Sequence, residues 1–139
     1  MRTLLAAIWI CASTPAALAQ SYAISGHAGY LQEWEMKAHL VKTAGNTSED
    51  IDGPVTLRHV GLCSVNGVEE KSGALQLSVS RSGVEGTLTM ADDTCHIKAA
   101  AASPAYTGLL NCRNGEGVPI QLSIGPEDPT RKDAVAAAK

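Results

Sequence analysis

Apolar and polar residues alternate in short runs along most of this chain, which is the pattern of β-strands that bury one face. The clearest run, 30–42, places Trp34 on one face with three further apolar residues and puts charged or polar residues between them. Most runs stop at turn-forming residues such as glycine, asparagine and aspartate. We predict seven strands, at 30–42, 53–63, 74–80, 84–90, 95–102, 105–112 and 118–124, and no helix.

Short strands joined mostly by tight turns predict an all-β fold, in which a small antiparallel meander of about seven strands closes as a barrel or as a sandwich. We interpret 21–28 as a lead-in that glycine loosens, and the polar stretch 43–52 as a solvated loop. The outward positions of the strands are mainly polar, which disfavours an outer-membrane barrel.

The stretch 94–113 is the most informative part of the pattern. Two short apolar runs flank Ser103-Pro104, and each carries a cysteine at its far end from that turn. A hairpin symmetric about the turn pairs Cys95 directly with Cys112, while His96 points to the opposite face because side chains alternate along a strand. This register favours a disulfide between Cys95 and Cys112.

Strand direction alternates in a meander, so Cys63, Cys95 and Cys112 all reach the same end of the fold. In an oxidising compartment we expect one disulfide and one remaining thiol, and three pairings stay open. A disulfide that holds this end shut is the favoured role. The alternative is a soft-metal site of these cysteines with His96 or His27. No paired metal-ligand spacing accompanies them, and we expect no metal and no other cofactor.

Trp34 and His59 are the candidate ligand-lining residues. Trp34 is the one tryptophan after residue 19, and its favoured role is a core anchor in the middle of a strand. His59 points inward if the strand 53–63 buries the set that contains Val55 and Leu57. It points outward if the strand buries the alternate set: Thr56, Arg58, Val60 and Leu62. A buried neutral histidine with a hydrogen-bond partner is the default, and a ligand contact in a barrel mouth is the alternative.

Residues 1–19 have the features of a cleaved export signal, in which Arg2 precedes an apolar run and small residues at 17 and 19 form the cleavage site. The mature chain is then one β domain, 20–125, followed by a flexible polar and alanine-rich tail, 126–139. We therefore predict a periplasmic or secreted protein with no membrane span after cleavage.

The net charge of the whole chain is −3, and loss of Arg2 with the signal makes the mature domain more acidic. No cluster of lysine and arginine is present, so a nucleic-acid partner gains no electrostatic support. The sequence signatures of serine hydrolases, phosphate-binding loops and zinc proteases are absent from the chain. We predict a non-enzymatic protein, monomeric, with a protein or small molecule as its partner and no nucleic acid.

The segments WEMKAHL, GPVTLRHVGLC, EEKSG and YTGLLNCRNGEGVPIQL resemble small exported bacterial β-proteins of unassigned function. The architecture more loosely resembles periplasmic protease inhibitors, which are exported barrels that carry a disulfide. These resemblances imply export and a β fold and assign no site residue. Two functions follow as hypotheses: a binding or inhibitor-like module, or a carrier that holds a small ligand or soft metal in the barrel interior or at the cysteines.

Overall fold

A computed structural model describes residues 19–43, 49–61 and 67–127, which form eight antiparallel strands and, within those ranges, no helix. Each strand pairs with the next, and the last pairs back with the first, so the sheet is a closed up-and-down barrel. The all-β meander is confirmed, and it closes as a barrel. The strands are β1 (Ser21–Ala28), β2 (Trp34–Lys42), β3 (Glu49–His59), β4 (Glu70–Val79), β5 (Gly83–Met90), β6 (Thr94–Ala102), β7 (Ala105–Cys112) and β8 (Gly115–Pro126).

The lead-in predicted at 21–28 is wrong, because this segment is strand β1. Its apolar alternation is interrupted by Gly26, which weakens the strand pattern in the sequence. In the barrel, Ile24 pairs with Ala38 of β2 on one side and with Ile124 of β8 on the other. Strand β1, which is additional to the seven predicted strands, closes the sheet because it pairs with both β2 and β8.

The loop predicted at 43–52 is wrong over its last residues, because β3 begins at Glu49. Ile51 is buried in the core between outward-facing acidic neighbours, and those acidic residues make the segment look like a solvated loop in the sequence. The same strand ends at His59, earlier than predicted, and Cys63 lies outside the described residues.

The hairpin of β6 and β7 has the predicted register. Cys95 lies opposite Cys112, Ala101 lies opposite Tyr106, and the Ser103–Pro104 peptide at the turn is cis. Pairing and burial agree here, because the inward positions of both strands belong to one face of the barrel wall.

Glycines on the inner face let the wall of this small barrel curve tightly. A Cβ added at Gly86 would overlap the carbonyl oxygen of Gln76, and one added at Gly108 would overlap that of Lys98. Both glycines alternate with buried residues, so the absence of a side chain brings neighbouring strands close at these points.

Aliphatic side chains fill the interior of the barrel. Among the described residues no buried side chain belongs to the polar or charged classes, and Tyr22 is the buried residue there that carries a hydroxyl. Within these residues no helix has the length and apolar character needed to cross a membrane. The largest fully buried side chains are Met36, Leu40, Ile51, Leu75, Leu88, Ile120 and Leu122.

Candidate binding surface

One end of the barrel carries the disulfide, and we call it the disulfide end. Strands β1, β3, β5 and β7 finish there, and β2, β4, β6 and β8 begin there. Four connections form this end: 29–33, 60–69, 91–93 and 113–114, of which 62–66 lie outside the described residues.

The disulfide joins Cys95 at the start of β6 to Cys112 at the end of β7. Of the three pairings that the sequence leaves open, this one is present. Asp93 braces the same turn, because its Oδ1 accepts hydrogen bonds from the backbone N–H groups of Thr94 at 2.8 Å and Arg113 at 3.2 Å. The disulfide and the carboxylate together fix the end of the β6–β7 hairpin.

The residues considered for a soft-metal site are not assembled as ligands in the described part of the chain. Asp93, Cys95 and Cys112 have potential ligand atoms within 4.8 Å of one another, but the two sulfurs are bonded to each other. His96 is exposed on the outer wall opposite Asn111, and His27 is exposed on the outer wall of β1. A bonded sulfur lacks the thiolate charge that a soft metal requires.

Trp34 and His59 lie together at the disulfide end. Trp34 begins β2 and His59 ends β3, so Trp34 does not lie in the middle of a strand as the sequence suggests. The two residues are in register, and their rings make an edge-to-face contact with centroids 4.9 Å apart. Lys71 places its Nζ 5.4 Å from the Trp34 ring centroid, within the range of a cation–π contact.

This cluster packs over the end of the core and does not line an internal cavity. Trp34 is half-buried against the core, and His59 continues the inward face of Val55 and Leu57. Among the described residues, four well-formed surface concavities of about 200–540 Å³ lie mainly along the outer wall, and neither Trp34 nor His59 lines these four. The inward set that includes His59 is therefore the correct one of the two considered.

The connection between β1 and β2, residues 29–33, is a tight turn with an unusual backbone. Gly29 has φ 105° and Gln32 has φ 55°, a value that side-chain-bearing residues adopt rarely. The Glu33 carboxylate accepts a hydrogen bond from the N–H of Leu31 at 2.9 Å, and the N–H of Gln32 donates to the carbonyl of Gly29 at 3.2 Å. These two hydrogen bonds brace the turn internally.

Exposed apolar side chains concentrate around this turn. Leu31 is 88 % exposed, Tyr30 75 %, Val68 55 % and Val60 47 %, and we call these four residues the apolar rim. Within 19–43, 49–61 and 67–127, the other exposed large apolar residues are Val41 and Leu109, which lie singly on the outer wall.

Backbone hydrogen bonds join the parts of the apolar rim. The N–H of Val60 donates to the carbonyl of Glu33 at 2.7 Å, and the N–H of His59 donates to the carbonyl of Glu69 at 2.8 Å. These bonds bring the connection 29–33 next to the described ends of the connection 60–69. The four residues of the apolar rim therefore lie on adjacent connections of one end of the barrel.

Acidic residues accompany the apolar rim. The connections at the disulfide end contain four carboxylates against one cation, Arg113, whereas those at the opposite end contain only one charged residue, Arg81. The stretches 44–48 and 62–66 contain no charged residue, so they do not alter this comparison. The four acidic residues are Glu33, Glu69, Asp92 and Asp93.

A row of alternating charges crosses the outer wall just below the apolar rim. Cross-strand pairs link His27 to Glu35, Glu35 to Arg58, and Arg58 to Glu70. A hydrogen bond from Lys37, whose Nζ lies 3.1 Å from the Glu35 carboxylate, is the main cause that lowers the pKa of Glu35, and the neighbouring positive charges act in the same direction. Opposite charges in direct cross-strand pairs support this part of the sheet.

No protein-family model matches this chain, and no curated protein matches it significantly.

Alternating strand direction correctly predicts that Tyr30, Cys95 and Cys112 reach the same end of the fold, whereas the apolar rim is not predicted from the sequence. The prediction that Tyr30 and Leu31 begin the first strand is wrong, because they precede the alternating run and lie in the turn before β2. Gly29 directly before them was the available signal, since glycine in such a position favours a turn over a strand.

Proposed function

We propose that this protein is an exported, non-enzymatic binding module of the periplasm or the extracellular space, and that it binds another protein through its disulfide end. The observation that carries the proposal is the apolar rim on a rigid barrel whose interior is filled. Contiguous exposed apolar surface with polar surroundings is typical of protein-binding sites.

Export is supported by the signal features of residues 1–19 and by the disulfide. Disulfides persist in oxidising compartments and are rare in the cytosol.

The carrier alternative gains less support. A carrier of small molecules needs a cavity with a few polar groups, whereas aliphatic side chains occupy this interior. A soft-metal carrier needs free thiolates, whereas Cys95 and Cys112 are bonded to each other.

Site-specific photo-crosslinking tests the proposal. A photoreactive phenylalanine analogue at Tyr30 should form adducts with another protein in exporting cells, because that side chain is exposed within the apolar rim. The same analogue at Leu109, an isolated exposed residue of the outer wall, is the matched control and should not form them.

Failure of adduct formation at Tyr30, or equal adducts at both positions, contradicts binding through the disulfide end. Native mass spectrometry of the mature protein covers the carrier alternative. A stoichiometric small molecule or metal retained by the purified protein contradicts the proposed function in favour of that alternative.

A further inference from the structure

The turn 29–33 has the features of an anchor that is organised before binding. Beyond its internal hydrogen bonds, the N–H of Gly29 donates to the carbonyl of Pro119 at 2.9 Å, and the hydroxyl of Tyr30 donates to the carbonyl of Gly117 at 3.3 Å. These bonds tie the turn to β8 on one side, while the bond from Val60 to Glu33 ties it to β3 on the other.

These hydrogen bonds explain how Gln32 keeps a positive φ. Backbone conformations of this kind are unfavourable and persist only where the surroundings enforce them, commonly at binding sites. Leu31 therefore projects into solvent from a hydrogen-bonded turn, and Tyr30 stays exposed although its hydroxyl is hydrogen-bonded to Gly117. A surface that is already ordered loses less entropy on association and binds more tightly.

The charges around the turn select the partner. The connections at the disulfide end carry the carboxylates of Glu33, Glu69, Asp92 and Asp93 against one cation, Arg113. Lys71 of β4 pairs with Glu69 at 3.5 Å, and the end still keeps an excess of negative charge. Complementary potential accelerates encounter and suppresses partners of like charge. A second copy of this chain would present the same acidic end, and an anionic membrane surface would also be repelled.

We infer that the turn 29–33 is an anchor that inserts Leu31 and Tyr30 into an apolar pocket of a positively charged partner protein. This inference rests on the proposed function and adds to it the anchor and the charge of the partner. Tyrosine is enriched among the residues that dominate binding energy, and acidic residues around an apolar centre govern the association rate.

The anchor is tested by immobilising the full mature chain and offering it bacterial periplasmic proteins that a cation exchanger has separated into retained and unretained fractions. We expect one partner from the retained, basic fraction. The variant Leu31→Asp should lose at least about tenfold in affinity for that partner, since it places a charge in an apolar pocket. Leu109→Asp is the matched control and should bind like wild type. Both positions are exposed, and equal melting temperatures establish that both variants fold.

The charge of the partner is tested with the double variant Glu69→Gln/Asp92→Asn. Its association rate with the same partner should fall several-fold at low salt, with little change in the dissociation rate, and the difference should vanish at high salt. Glu85→Gln, an acidic residue of the outer wall, is the control and should leave the association rate unchanged.

The outcomes separate this inference from the proposed function. A partner found only in the unretained fraction overturns the basic partner but leaves a protein-binding module. Full affinity of Leu31→Asp overturns the anchor. Self-association of wild type that Leu31→Asp abolishes, seen by sedimentation, replaces the basic partner by a second copy. Retention of no protein from either fraction overturns the proposed function itself.

Discussion

Removal of the disulfide by the double variant Cys95→Ala/Cys112→Ala should lower the free energy of unfolding by about 3 kcal/mol. The bridge spans a sequence separation of 17 residues, and closing a loop of that length in the unfolded chain accounts for about 3 kcal/mol in the chain-entropy model. Total stabilities of domains are about 5–15 kcal/mol, so this is a large fraction. For a barrel of this size the loss corresponds to a decrease in melting temperature of about 13 °C.

Urea denaturation of the mature protein, followed by the fluorescence of Trp34, measures this loss. Trp34 is half-buried against the core and against His59, so its emission should change on unfolding. Reduction of wild type with dithiothreitol should reproduce the loss, and the same reductant should leave the double variant unchanged.

Wild-type stability in the double variant would refute the reasoning. A bridge from Cys63 to either partner would close a longer loop and give a value within about 1 kcal/mol of this one, so the pairing requires its own measurement. Alkylation of the unreduced, denatured protein followed by peptide mass spectrometry should label Cys63 alone. Labelling of Cys95 or Cys112 would contradict the pairing.

Three further predictions test the barrel itself. Gly108→Ala should destabilise the protein because its Cβ would overlap a neighbouring strand, whereas Gly125→Ala has open space and should be neutral; similar melting temperatures for both would contradict the tight wall. Leu88→Ala removes a fully buried side chain and should lower the free energy of unfolding by about 2–5 kcal/mol in urea titrations, so a loss under about 1 kcal/mol would argue against a filled interior. The pKa of Glu35 is lowered chiefly by its hydrogen bond from Lys37, so this pair stabilises the fold above pH 4.5 and its contribution disappears as the pH falls through the lowered pKa. Glu35→Gln should therefore make the urea midpoint less sensitive to acid than in wild type, and an unchanged pH dependence would contradict this pairing.

The hairpin of β6 and β7 could be predicted in detail from the sequence, because strong alternation and a central Ser103-Pro104 turn leave one register that buries one face. Strand β1 could not, because Gly26 interrupts its apolar face. The start of β3 was hidden for a different reason, since Ile51 is the only apolar residue among acidic neighbours. Pairing with adjacent strands supplies the burial and hydrogen bonds that a local pattern does not reveal.

The candidate site, like the fold, could be predicted from the sequence only in part. Alternating strand direction was enough to bring Cys95, Cys112 and Tyr30 to one end of the fold. The apolar rim could be recognised only from the tertiary structure, because an exposed leucine and a buried leucine are identical in a sequence. Only the closed turn 29–33 distinguishes Leu31 from the leucines of the core.

By itself the sequence determined the fold class, most inward faces and the disulfide register, since period-two alternation and chain direction are local properties of strands. Only the tertiary structure decided that eight strands close into a barrel, that aliphatic side chains fill it, and that apolar and acidic groups share one end. Those features arise from contacts between residues far apart in the chain. The pairing of β1 with β8 closes the barrel and thereby determines which side chains stay exposed to solvent or to a partner.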